Sequence, residues 1–196
     1  MNARFFVVIG LLTTLTVQVV LADHGHEDLI VGITGDNQLA IHYDEFDHDH
    51  HLPPVYGPLL FGWQGNHPGF AHLEEDEPAE DFYTLETGVS VLLEVVALDE
   101  GLRIYSPGFG SEPGVGDTMV LGDEYLHAHA EWHIDSTIPG VDPTLYTYGV
   151  TFRLLDDGTT GYAPSENYTL TFVPEPGGLA LLALGMTALW SQRRVC

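Results

Sequence analysis

The chain contains no lysine, five arginines and one cysteine, Cys196. Between residues 23 and 173 the shortage is sharper: Arg103 and Arg153 face 28 carboxylates, a net charge of −26 with histidine neutral. Such a surface repels phosphate backbones and anionic headgroups and concentrates cations. Nucleic acid is thereby excluded as a partner, and phosphate-bearing substrates find few guanidinium forks to hold them. With the cysteine at 196, residues 23–173 have neither a disulfide nor a thiol nucleophile. Ser106, Ser111 and Ser165 lie outside any Gly-x-Ser-x-Gly elbow, and no glycine-rich phosphate loop precedes a helix.

Apolar runs are confined to the two ends. Residues 1–22 carry one charge, Arg4, then an apolar stretch from Phe5 to Leu21 closed by Ala22, the layout of a cleavable secretory signal. At the other end Pro174-Glu175-Pro176 precedes a 14-residue apolar run, Gly177 to Trp190, and then Arg193 and Arg194. As a helix that run would span about 21 Å of a roughly 30 Å hydrocarbon core. The arginines mark the cytoplasmic side, so everything before Pro174 faces outward. This order resembles the PEP-CTERM sorting signal, in which Pro174, Glu175, Pro176, Arg193 and Arg194 occupy the motif positions. The resemblance implies processing by signal peptidase and an exosortase, a membrane hold through the short C-terminal helix before processing, and an exported or cell-surface destination. Three parts follow: a signal peptide (1–22), an exported domain (23–173) and a sorting segment (174–196).

The exported part is about 150 residues, enough for one hydrophobic core. Its pattern is that of strands and turns. Candidate strands are Asp28–Ile33, Asn37–Tyr43, Val89–Leu98, Leu102–Tyr105, Thr118–Leu121, Glu124–Ile134, Tyr146–Leu155 and Tyr168–Val173, separated by Gly, Pro, Asn and Asp. Alternation is cleanest in the last two, where Tyr148, Val150, Phe152 and Leu154 share a face, as do Tyr168, Leu170 and Phe172. These two strands are expected to be neighbours. The fold class is therefore all-β, a single antiparallel β-sandwich flanked by an N-terminal signal helix and a short C-terminal hydrophobic helix. Residues 50–79, rich in Pro, Gly and aromatics, read as a long excursion across one end of it.

Histidine carries the chemical signal. All 11 fall between His24 and His133, in clusters. In Leu126-His127-Ala128-His129-Ala130-Glu131-Trp132-His133-Ile134, one strand would project His127, His129, Glu131 and His133 from one face and only apolar side chains from the other. Residues two apart stand about 6.6 Å apart at Cα, which lets two imidazoles converge on one ion with bonds near 2.0–2.1 Å. His127 and His129 form the core pair; His133 requires strand curvature or a second ion. A second cluster, from His42 through His48, His50 and His51, mixes imidazole with carboxylate and reads as a loop gathering several ions. Such donor sets favour zinc, copper or nickel over calcium. Zinc is the expected ion, with copper and calcium as alternatives. His24, His26 and Asp28, and His67 and His72 beside Pro68-Gly69-Phe70, are further groups that a sandwich could bring to the His127 strand.

His127, His129, Trp132 and Gly140, then Tyr148-Gly149-Val150-Thr151-Phe152, Ser165, Tyr168, Thr169 and Phe172, resemble a pattern of bacterial surface-anchored domains. They are also similar to a His-rich subset of PEP-CTERM proteins made under zinc limitation, which implies holding or scavenging zinc. Three function classes follow. The first is a non-catalytic surface protein binding divalent metal ions. The second is a structural or adhesive component of the extracellular matrix, with exopolysaccharide as partner. The third is a metal-dependent hydrolase or oxidase, for which Glu131 is the candidate base.

Overall fold

Alternating apolar residues organise fourteen strands in a computed structural model that describes residues 28–42, 49–56, 61–108, 110–139, 141 and 147–175. The expected signal peptide, the apolar tail with Pro176, Arg193 and Arg194, and His24, His26 and His48 lie outside the described residues. In chain order the strands are β1 (Leu29–Thr34), β2 (Leu39–His42), β3 (Asp49–Leu52), β4 (Pro54–Tyr56), β5 (Phe61–Gly65), β6 (Phe70–His72) and β7 (Phe82–Tyr83). They continue as β8 (Val91–Leu98), β9 (Leu102–Tyr105), β10 (Thr118–Gly122), β11 (His127–Ala128), β12 (Glu131–Asp135), β13 (Tyr148–Asp156) and β14 (Tyr168–Pro174). Among the described residues there is no helix, and so none long and apolar enough to cross a membrane.

Three sheets result. The first runs β11-β6-β1-β2, with β7 also pairing β1; the second runs β10-β8-β13-β14-β3; the third runs β4-β5-β12-β9. β13 and β14 are antiparallel neighbours as their patterns predict, Tyr148 opposite Phe172 and Phe152 opposite Tyr168. Their buried faces meet the other sheets through aromatic rings. Phe70 of β6 meets Phe152 edge-on at 5.8 Å, and Trp132 of β12 lies against Phe172 at 4.9 Å. Phe70, Trp132, Phe152 and Phe172 are all fully buried.

Two expectations are corrected. Pairing is not purely antiparallel, because β1 with β6 and β14 with β3 run parallel. The excursion at 50–79 also contains strands: β5 pairs with β4 and β12, and β6 lies between β1 and β11. These strands are three to five residues long, and β5 is interrupted by Gly62, which hides their alternation. At Gly62, with φ +135°, an added Cβ would overlap the carbonyl oxygen of Ile134, so the glycine admits the close approach of β5 to β12. The hydrogen-bonded body runs on through Pro174 to Glu175. Its N–H donates to Leu52 O (2.9 Å), and its carbonyl accepts from Trp63 Nε1 (2.7 Å).

Candidate metal centre

The predicted strand Glu124–Ile134 is two strands in two sheets. β11 pairs with β6, Ala128 opposite Phe70, whereas β12 pairs with β5 and β9. Ala128, Ala130, Trp132 and Ile134 enter the core as the pattern requires. The polar side is divided by the crossing at His129 and Ala130.

That crossing builds a site from three chain segments. β1 and β6 are parallel, Leu29 opposite Phe70, and β11 is antiparallel to β6. The residues just before β1, just before β6 and just after β11 therefore meet at one edge. They are Asp28, His67 and His129, whose donor atoms all lie within 4.8 Å of one another. His127 joins them: its Nε2 stands 3.2 Å from Asp28 Oδ2 and 3.2 Å from His129 Nε2. Donors bonded to one tetrahedral ion at 2.0–2.1 Å are about 3.3 Å apart. The two 3.2 Å spacings of His127 Nε2 are close to that value.

Hydrogen bonds prepare the donors. His129 Nδ1 lies 3.1 Å from the carbonyl oxygen of Asn66. A carbonyl only accepts, so Nδ1 carries the proton and, in the neutral ring, the Nε2 lone pair faces His127 Nε2, 3.2 Å away. Asp28 Oδ1 accepts from Gly69 N (3.2 Å), and Leu29 N donates to Gly69 O (2.9 Å), which fixes the carboxylate beside the loop. That loop enters through a cis His67–Pro68 peptide, and Pro68 O accepts from Trp132 Nε1 (3.1 Å). A Cβ on Gly69 would come 2.5 Å from His129 Nδ1 and 2.6 Å from Asp28 Oδ1, so glycine alone leaves room for both.

The other expected ligands are placed elsewhere. Glu131 accepts from Gln64 Nε2 (3.2 Å) and belongs to no group of three clustered donors among the described residues. His133 is 2 % exposed, inside the third sheet; its Nε2–H donates to Phe61 O (3.2 Å) and its ring lies 6.4 Å from that of Tyr105. Burial holds its pKa below the ordinary histidine value, against the opposing pull of the Phe61 carbonyl and of Asp135. His133 does not converge with His127 because β12 is an interior strand covered on both faces.

The expected loop of ligands from His42 to His51 is likewise divided. His42 ends β2 and places Nδ1 3.5 Å from Glu77 Oε2 and Nε2 3.2 Å from Glu80 Oε2, a second possible donor group on the exposed surface. His50 and His51 lie on β3 at the edge of the second sheet, the His50 ring 5.6 Å from Phe172, and neither belongs to such a group. His72 uses Nδ1 on the carbonyl of Leu126 (3.1 Å).

Sequence reasoning named Asp28 and His67 only as neighbours that a fold might recruit, and it missed Gly69. Their one signal was position, each just ahead of an apolar segment. The described residues thus define an all-β protein with a histidine-carboxylate cluster at the edge of its first sheet. Comparison with protein-family models, curated proteins and solved structures finds no match to this chain.

Proposed function

We propose that the chain is an exported, surface-associated, non-catalytic protein that binds a divalent transition metal, zinc foremost, through Asp28, His67, His127 and His129. One observation carries this reading: donor atoms of Asp28, His67 and His129, from three separate segments, lie within 4.8 Å of one another, and His127 Nε2 stands 3.2 Å from both Asp28 Oδ2 and His129 Nε2. One carboxylate and three neutral imidazoles match zinc or copper better than calcium, which takes oxygen ligands. The acidic surface supports accumulation of the cation. The first and third sheets, both facing the second, are consistent with one two-layered sandwich. The signal-like start and the PEP-CTERM-like tail support export, with exosortase and signal peptidase as processing partners.

Zinc bound to the folded state and not to the unfolded one adds about 2.7 kcal/mol at a free concentration 100 times Kd. Titration of zinc into the purified full-length chain should therefore raise Tm by several degrees, and chelator should reverse the rise. A His127→Ala, His129→Ala double variant should show no response. An equal response in both proteins rejects the site.

A further inference from the structure

Resting on that reading, we infer that the four donors are unequal: Asp28, His67 and His129 hold the ion, and His127 is the exchange ligand through which it enters and leaves. Exposure separates them. The His127 side chain is 64 % exposed, that of Asp28 16 %. Anchoring separates them as well. Asp28 is bonded to Gly69, and His129 to Asn66, each through an atom other than the one turned to His127. The His127 ring makes its polar contacts to Asp28 and His129 themselves. His127 also sits on the shortest class of strand in the fold, the two-residue β11, at the outer position of the first sheet.

The contacts of the His127 ring assign it a role before the ion arrives. His129 Nε2 presents a lone pair and Asp28 Oδ2 is an acceptor, so the proton between them belongs to His127 Nε2. This N–H bridges Asp28 and His129, and the ring keeps the site in shape. Zinc takes the place of that bridge. His127 then binds through the same nitrogen after its proton moves to Nδ1 or to water, or swings outward and leaves the fourth position to an incoming donor. Release by this route is ligand substitution: an acceptor imidazole, thiolate or pyridyl nitrogen occupies the position that His127 vacates, with no change in oxidation state. The protein is thereby suited to passing its ion to a second chelator instead of burying it permanently.

The test measures zinc transfer from the loaded full-length chain to the chromophoric chelator 4-(2-pyridylazo)resorcinol in stopped flow, with stoichiometry taken by titration and folding by circular dichroism. In wild type the transfer rate should rise with chelator concentration. His127→Ala and His127→Gln should still bind one zinc, with transfer at least tenfold faster, whereas His129→Ala should lose stoichiometric binding. Folded His127 variants that release zinc at the wild-type rate, or that lose binding as fully as His129→Ala, overturn the exchange role and leave the site itself standing. Failure of wild type to bind zinc overturns both.

Discussion

At the scale of single residues, the decisive fact is that identical side chains a few positions apart meet opposite fates. His129 turns Nε2 toward His127, whereas His133, four residues on, is buried with its Nε2 on the Phe61 carbonyl. The unfolded chain binds a proton at His133 near pH 6.5, while the folded chain resists it because burial disfavours the charge. More protons bound in the unfolded state means that stability is retained above about pH 6.5 and lost as pH falls through and below it. His133→Gln should flatten that acid slope by up to one proton, about 1.4 kcal/mol per pH unit, as read from denaturant melts between pH 7 and pH 5. Gly69 yields a second prediction. Gly69→Ala should abolish the zinc-induced rise in Tm, because the new methyl group displaces His129 or Asp28; an unchanged rise would show that the loop yields without loss of the site.

At the scale of elements, the loop from Asn66 to Gly69 is held from two sides. Asp28 and Leu29 grip Gly69, and Trp132 grips Pro68. Trp132 thus joins the packing core to the donor cluster, since its ring lies against Phe172 while its N–H fixes the segment bearing His67. Trp132→Phe should keep most of the core yet leave the Pro68 carbonyl without this donor. It should lower stability by about 1–3 kcal/mol and weaken zinc binding several-fold in competition titrations. Asp156 performs comparable work at the far end of β13. Its carboxylate accepts from the N–H groups of Ser90, Gly158, Gly161 and Tyr162 and from the Thr160 hydroxyl. Burial raises its pKa, but these bonds prevail and hold it below the usual range. Asp156→Ala should lower stability by about 2 kcal/mol or more at neutral pH, and less as pH falls toward 3.

At the scale of the whole molecule, charge and site reinforce one another. A net charge of −26 over residues 23–173 draws divalent ions toward the surface, and added salt screens that attraction within a Debye length of about 8–10 Å. The association rate of zinc should therefore fall as sodium chloride rises from 10 to 500 mM, while transfer from the bound complex to chelator changes little. An association rate independent of salt would assign the acidity to solubility alone. The sheets divide the labour: β13 and β14 of the second sheet face the core, and the edge of the first sheet carries the donors.

What the amino-acid order settled by itself was local. Period-two burial identified β13 and β14 as partners, the lack of helical periodicity in the described part fixed the all-β class, and the spacing of His127 and His129 placed two imidazoles on one side of the backbone. Each of those properties depends on neighbours within a few residues, so each could be read directly. Which further donors joined them was decided only in three dimensions. The parallel pairing of β1 with β6 delivers Asp28 and His67 to the end of β11, and the passage of the chain from the first sheet to the third at Ala130 takes His133 away. Strand pairing between distant segments leaves no period in the sequence, because it is chosen by the packing of Phe70, Trp132, Phe152 and Phe172 against one another and not by the spacing of the residues that come to share the site.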